Sequence, residues 1–164
     1  SAGIRYDMMP YVAARSRTVK TVEDLMAYNA GEGPRRIPSG QGLLELLAPA
    51  SAGLSAGDYA VLAARLRRAS TDILEATFKK TGADMLVSFG TAHSELYATA
   101  GYPAITIPLG LRAVGRVLQP SGVSSLGMPV GITFIGKAGD DAKLLAYAYA
   151  FEQATNLRVQ PTIR

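Results

Sequence analysis

The segment Thr99–Gly110, "TAGYPAITIPLG", decides the fold because it places a short apolar run between two prolines. Ala104–Ile107 has the β-branched content and the length of a buried strand, and it is too short for an amphipathic helix. A proline donates no backbone hydrogen bond, so it is tolerated at the first position of a strand or just past its end. We therefore predict that Pro103 and Pro108 delimit a very short, fully buried central strand.

Side chains alternate along a strand, so this one has two distinct faces. Ile105 and Ile107 are predicted to point to one face of the sheet, and Ala104 and Thr106 to the other. Two further apolar runs, 84–89 and 130–136, predict additional strands of the same sheet. Residues 109–118 either extend the first strand or pair with it.

Helical patterns flank these strands. In residues 56–81 apolar side chains recur every three or four positions, which predicts a long helix with one apolar stripe. The stripe consists of Tyr59, Leu62, Leu66, Ala69, Ile73 and Ala76. Gly82 is suited to the C-terminal cap of that helix, and Asp140 to the N-cap of a second helix through about Thr155. Apolar strands between such helices predict an α/β fold whose sheet is covered by helices on both faces.

The first 55 residues carry weaker patterns. Residues 1–20 show no clear period, and Thr21 with Asp24 forms a capping box that predicts a helix through about Asn29. Residues 29–42 are rich in glycine and proline and predict an irregular connection, followed by a short helical piece at 43–47. We interpret residues 1–164 as one α/β segment, with 1–55 as a helix-and-loop lead-in to 56–164.

Composition excludes several classes of function. The 164 residues are 48% hydrophobic and 18% charged, which is typical of a globular domain. The sequence contains no cysteine, and so neither disulfides nor a thiolate metal site. No apolar run approaches the ~20 residues that a membrane span needs. The 17 cations are scattered rather than clustered with aromatic residues. We expect a cytoplasmic protein that binds neither nucleic acid nor membrane.

Few residues are candidates for chemistry. His93 is the only histidine, and with Glu95 two residues on it does not make a metal-ligand set. A local hydrogen-bonding role for His93 is the plainer alternative to a ligand contact at a strand end. Ser124 and Ser125 lie in a polar loop with no base nearby in the sequence. No nucleophile elbow, Walker A or dinucleotide-binding motif is present.

Three motifs in order along the chain carry a resemblance. They are "TAGYPAITIPLG", then "GMPVGITFIG" at 127–136, then "DDAKLLAYAYAFEQAT" at 140–155. Together they closely resemble the C-terminal part of amidase signature family enzymes. The upstream segments "TVKTVEDLMAYNA" and "GADMLVS" resemble the part that precedes it in bacterial and fungal members, including the peptide amidase branch. The resemblance implies part of an amidase-type mixed β-sheet.

The resemblance also implies a mechanism and a site. In this family a serine nucleophile, a second serine in a cis peptide and a lysine base hydrolyse amides, and they lie in an N-terminal signature. No residue of this sequence matches that signature, so we assign no catalytic residue, no metal ligand and no cofactor. Loops leaving the strand ends would border the acyl pocket, and the predicted pocket wall comprises Ser88, Phe89, Gly90, Thr91, His93 and Tyr97. Family members commonly have proline-threonine where this chain has Phe89-Gly90.

Three functions fit this sequence. The first is the C-terminal portion of an amide hydrolase that acts on a small-molecule or peptide amide. The second is a non-catalytic binding module that retained the scaffold, and the third is part of the A-type subunit of a glutamine-dependent amidotransferase. If the three strands belong to a larger sheet, we expect the sheet edges and helix faces left uncovered in this chain to favour self-association.

Overall fold

The structure, a computed structural model, describes residues 2–50, 53–112 and 128–160. The chain falls into two compact units, residues 1–64 and 65–164, and the boundary lies within one long helix. That the whole chain forms a single α/β segment stays a prediction.

The first unit is helical. A π-helical turn at Ile4–Met8 continues into α1 (Met9–Arg15), and three further helices follow: α2 (Val22–Gly31), α3 (Gly33–Arg36) and α4 (Gly42–Ala50). Its buried cluster contains Met9, Val19, Val22 and Ala48. The predicted capping box of α2 is confirmed, because the Thr21 side chain accepts from the Asp24 N–H while the Asp24 carboxylate accepts from the Thr21 N–H.

One prediction for this unit is wrong, and one segment that carried no prediction is helical. Residues 1–20 show no clear period in their sequence but are helical over most of their length. Residues 29–42, predicted to be irregular, contain α3, where a proline occupies the first helical turn and so loses no intrahelical hydrogen bond. Glu32 before this helix pairs with Arg36 at 2.7 Å and with Arg35 at 3.4 Å. These ion pairs stabilise the helix, and the glycine-rich composition of the segment gives no sign of them.

The second unit has an α/β fold, as predicted. After α5 (Ala56–Thr81) come β1 (Leu86–Phe89), α6 (Ser94–Ala100), β2 (Ala104–Arg112), β3 (Met128–Ile135) and α7 (Asp141–Thr155). The three strands are ordered β1-β3-β2, and both pairs are antiparallel. Gly82 adopts a positive φ of 65° after α5 and its N–H donates to Phe78 O, which confirms it as the cap. Asp140 precedes α7, but its side chain makes no capping hydrogen bond.

The interpretation of Ala104–Ile107 as a short central strand needs correction. β2 continues through Pro108 to Arg112, and it lies at an edge of the described sheet while β3 is central. Proline is tolerated inside an edge strand or at a bulge, and the register shifts between Pro108 and Gly110. The strand is half exposed accordingly: Ile107 is buried, whereas Thr106 is exposed.

Helices pack on both faces of this sheet, as predicted, although Thr106 on one face and Phe89 on the other are exposed. On one face Ile107 of β2 and Phe134 of β3 form a buried cluster with Leu144 and Ala148 of α7, and Ile105 packs against it. The placement of Ile105 and Ile107 on the same face is therefore confirmed. On the other face Leu74 of α5 and Tyr97 of α6 cluster with Ile135.

The apolar stripe predicted on α5 is not its buried face. The buried residues are Leu74 and Phe78, one turn apart, whereas Leu62, Leu66 and Ile73 are 43%, 51% and 53% exposed. Periodicity identifies residues that share a face of a helix, but the position of neighbouring elements determines which face is covered. Within the part of the chain that the structure describes, Leu62, Leu66 and Ile73 are therefore exposed, whereas Tyr59 of the same stripe stacks on Tyr6.

An ion pair joins the segment before β1 to α7. Lys143 Nζ lies 2.7 Å from Asp84 Oδ1, and both side chains are substantially exposed. The hydrogen bond from Lys143, with its charge, lowers the pKa of the Asp84 carboxyl below its ordinary value. The same hydrogen bond raises the pKa of Lys143.

Adjacent leucines of α7 provide a matched test of this packing. Leu144 is 4% exposed and Leu145 is 61% exposed. Leu144→Ala is expected to lower the free energy of unfolding by about 2 to 5 kcal/mol through lost transfer energy and a cavity. Leu145→Ala is expected to change it by less than about 0.5 kcal/mol. Urea titrations of the two variants measure both quantities, and equal midpoints would contradict the placement of α7.

Candidate functional site

The loop between β1 and α6 is the centre of the predicted pocket wall. We call residues 90–93 the 90–93 loop. It begins at Gly90 with φ +58° and ends at His93 with φ +62°, both in the left-handed region. Glycine adopts this conformation without a steric cost, whereas for histidine it is uncommon and costs energy that the surroundings must offset. The backbone of the loop therefore changes direction at Gly90 and again at His93.

A row of three hydroxyl side chains crosses the sheet beside this loop. Ser88, Thr133 and Thr106 occupy paired positions on β1, β3 and β2, and we call them the hydroxyl row. Thr133 is 1% exposed and Ser88 is 6% exposed, whereas Thr106 is exposed. The hydroxyl oxygens of Thr106 and Thr133 lie 2.8 Å apart. The row thus runs from the sheet interior to an accessible edge.

Hydrogen bonds hold the 90–93 loop in place, and four of them involve Gly90 or Ala92. Ser88 Oγ donates to Ala92 O at 2.5 Å, and Thr133 Oγ1 donates to Gly90 O. The Gly90 N–H donates to Gly131 O at 2.7 Å. Within the loop, the Ala92 N–H donates to Phe89 O at 3.2 Å. Two of these bonds attach the backbone of the loop to the central strand, so its path depends on β3.

The six predicted wall residues lie in different environments. Ser88 and Gly90 belong to the hydrogen-bonded network just described, whereas Thr91 and His93 are exposed. Phe89 is 63% exposed and pairs with Ile132, on the α7 face of the sheet rather than the face of Ser88. Tyr97 is buried. That these six residues border a substrate stays a prediction, and Ser124 and Ser125 lie outside the described residues.

Thr106 and Thr133 are missing from the residues predicted to form the site. Each threonine stands between two apolar residues of a strand, in Ile105-Thr106-Ile107 and Ile132-Thr133-Phe134. A hydroxyl inside an apolar run indicates a polar partner, because burial without one costs free energy. The partner, Gly90, is 43 positions away from Thr133, so sequence alone gives no means of naming it.

The Gly-Tyr-Pro sequence joins α6 to β2 and to the central strand. Gly101 has φ +75° at the end of α6, and the Tyr102 N–H donates to Tyr97 O at 2.9 Å. The Pro103 carbonyl accepts from the Gly136 N–H at 2.9 Å. Burial raises the pKa of the Tyr102 phenol, and the nearby Glu75 carboxylate raises it further. The motif is therefore a structural junction between α6, β2 and the end of β3.

A groove of about 360 Å³ lies next to the hydroxyl row. The described residues that line it include Thr106, Pro108 and Gly131 of the sheet and residues 157–159, and Arg158 is the charged residue among those described. Among residues 2–50, 53–112 and 128–160, no group of three acidic, histidine or cysteine side chains is arranged to hold a metal ion. None of the helices described is long and apolar enough to cross a membrane.

Comparison with known proteins identifies the family. No family model matches the sequence. A probable amidase of Arabidopsis thaliana is 30% identical over 145 residues, which is 87% of this chain. The crystal structure of an amidase family protein from Bacillus anthracis superposes with a TM-score of 0.68 at 25% identity and covers 93% of the chain. The chain belongs to the amidase signature family. Its fold is of the amidase type, as the sequence motifs implied.

Other amidase signature relatives differ in the activity that their names state. The A-type subunit of the glutamyl-tRNA(Gln) amidotransferase of Limosilactobacillus reuteri is 29% identical and covers 93% of the chain. The peptide amidase of Stenotrophomonas maltophilia has a TM-score of 0.65, 26% identity and 96% coverage. This chain spans 26% of the Arabidopsis amidase, 32% of the amidotransferase relative and 33% of the peptide amidase. It corresponds to about a quarter to a third of each relative.

Close packing at Gly131 gives a test of the site geometry. A Cβ at this position would lie 2.5 Å from Thr106 Cγ2 and 3.2 Å from Ile107 O. Gly131→Ala is therefore expected to lower the free energy of unfolding by about 1 to 3 kcal/mol. Thr106→Ser removes the closer methyl group, so the double variant is expected to recover at least about 0.5 kcal/mol relative to additivity.

Gly42→Ala is the matched control, because nothing lies within 4 Å of its added Cβ. Chemical denaturation of the three single variants and the double variant measures the coupling. Strict additivity of Gly131→Ala and Thr106→Ser would contradict the described approach of β2 to β3.

Proposed function

We propose that this chain is the C-terminal portion of an amide hydrolase, and that it supplies scaffold and a wall of the acyl pocket. In this proposal a serine nucleophile, a second serine and a lysine base are contributed by a more N-terminal part of the protein. The observation that carries it is the 90–93 loop, which is fixed to the central strand of an amidase-type fold while its Thr91 and His93 side chains are exposed.

The hydrogen bonds of Ser88 and Lys20 support this division of roles. A nucleophilic serine needs a base within hydrogen-bond reach, but the buried Ser88 hydroxyl donates to the Ala92 carbonyl, which takes no proton. Lys20 Nζ donates to Ala13 O at 2.6 Å and to Ser16 O at 2.7 Å. This ammonium therefore binds carbonyls at the end of α1, where a cation is favoured by the helix dipole.

A pocket wall contributes to amide hydrolysis by positioning. The acyl carbon must be held roughly 3 to 3.5 Å from the nucleophile for attack, and a rigid wall restricts the substrate to such poses. Thr91 and His93 offer a hydroxyl and an imidazole for hydrogen bonds to the polar part of a small-molecule or peptide amide. No cofactor or metal is required for this role.

Similarity to the amidotransferase relative from Limosilactobacillus reuteri supports a second candidate. Such a protein would transfer the ammonia it liberates to an acceptor on a partner, whereas a hydrolase releases it to water. Dependence of amide cleavage on an added partner protein distinguishes the two functions.

Exposed apolar residues support self-association as a further property of the isolated chain. Val87 and Phe89 of β1 are 57% and 63% exposed, and the stripe of α5 adds Leu62, Leu66 and Ile73. Exposed apolar residues of this kind favour association with a second copy when no other part of a protein covers them.

Amide hydrolysis by two forms of the protein tests the proposed function. The purified 164-residue chain is expected to release no ammonia from amidated peptides and no aniline from aryl amides. A longer polypeptide expressed from the reading frame upstream of Ser1 is expected to hydrolyse at least one of them. Because Ser124→Ala and Ser125→Ala change neither a nucleophile nor a base in this account, both should leave that activity unchanged.

Two results would contradict this proposal. One is hydrolysis by the 164-residue chain that either serine substitution abolishes, since the reaction would then be carried out by this chain. The other is an upstream frame that encodes no lysine and paired serines in a glycine- and serine-rich segment.

A further inference from the structure

We propose that Thr133 is a positioning residue that determines the conformation of the 90–93 loop. Its role in substrate binding rests on the proposed function, because the loop is the proposed pocket wall. Its role in loop geometry does not depend on that function, and separate measurements test the two roles.

The direction of the hydrogen bonds follows from counting protons. A threonine hydroxyl has one proton to donate. Gly90 O is a carbonyl and only accepts, so the Thr133 proton must lie on the Thr133–Gly90 bond. The 2.8 Å bond between Thr106 and Thr133 therefore uses the proton of Thr106. The result is a directed chain in which Thr106 donates to Thr133 and Thr133 donates to Gly90.

These hydrogen bonds fix the backbone of the loop at Gly90. The Gly90 N–H belongs to the peptide plane of residues 89–90, and its bond to Gly131 O orients that plane. The Gly90 C=O belongs to the next peptide plane, of residues 90–91, and the Thr133 hydroxyl orients it. Because Gly90 permits many combinations of φ and ψ, both planes need an external partner to select the conformation at φ +58°.

Burial makes the Thr133 bond effective. Thr133 is 1% exposed, so water does not compete for its hydroxyl, and hydrogen bonds in series strengthen one another in a medium of low dielectric constant. Thr106 at the other end is exposed and has access to water if its partner is lost. Thr91 and His93 come directly after the 90–91 peptide plane in the sequence. Rotation of that plane would therefore move both exposed side chains of the proposed wall.

Two substitutions at Thr133 separate positioning from packing. Thr133→Val keeps the shape and the β-branch but removes the hydroxyl, so the strand should stay folded while the loop loses its orientation. Thr133→Ser keeps the hydroxyl and removes a buried methyl, so stability should fall while the loop stays in place. Thr155→Val is the matched control, because it removes a 2.8 Å bond from a threonine hydroxyl to the Phe151 carbonyl, away from the loop.

The loop has its own spectroscopic reporter, since His93 is the only histidine. In Thr133→Val we expect the His93 imidazole resonances to shift and hydrogen exchange of the Gly90 amide to accelerate about fivefold to tenfold. In Thr133→Ser and Thr155→Val we expect both signals to match the parent, although the urea midpoint of Thr133→Ser falls. Parent-like His93 and Gly90 signals in Thr133→Val, or equal changes in the valine and serine variants, would overturn the proposal.

Kinetics in the longer, active polypeptide test the connection to substrate. Thr133→Val is expected to raise KM about tenfold with a smaller change in kcat. Thr133→Ser is expected to have the KM of the parent. If the His93 signal moves but KM does not, loop positioning by Thr133 is supported and the pocket-wall function is contradicted. If the loop signals stay unchanged, the positioning role itself is wrong, whatever the activity.

Discussion

The central strand β3 is the element on which the rest of the second unit depends. It pairs with β1 along one edge and with β2 along the other. Phe134 packs on one face with Leu144 and Ala148 of α7, and Ile135 packs on the other with helical residues. Since both edges and both faces are occupied, β3 determines where its neighbours lie and, through Thr133, how the 90–93 loop leaves the sheet.

Local signals predicted much of this fold. The capping box at Thr21, the Gly82 cap of α5 and the alternation of Ile105 and Ile107 depend on near neighbours in the sequence, and each is confirmed. The edge position of β2 was not predicted. Pro103 and Pro108 show where the strand lacks a backbone N–H donor, but they do not show which strands pair with it. The covered face of α5 likewise depends on elements distant in sequence.

In the candidate site, too, near neighbours in the sequence predicted some features, whereas others depend on distant elements. The loop after β1 was identified from its place at a strand end, and the structure gives Gly90 and His93 left-handed conformations there. The partners that hold it, Thr106 and Thr133, come from strands that follow later in the chain. A family resemblance located the region, but only tertiary geometry connects the hydroxyl row to the loop and so relates the scaffold to the proposed pocket wall.

Cross-strand nuclear Overhauser effects at Thr133 test the central position of β3 most directly. We expect contacts from the Thr133 backbone to both Ser88 and Thr106, and none between the Ser88 and Thr106 backbones, because β3 lies between their strands. Direct backbone contacts between Ser88 and Thr106, or contacts from Thr133 to only one of them, would contradict it.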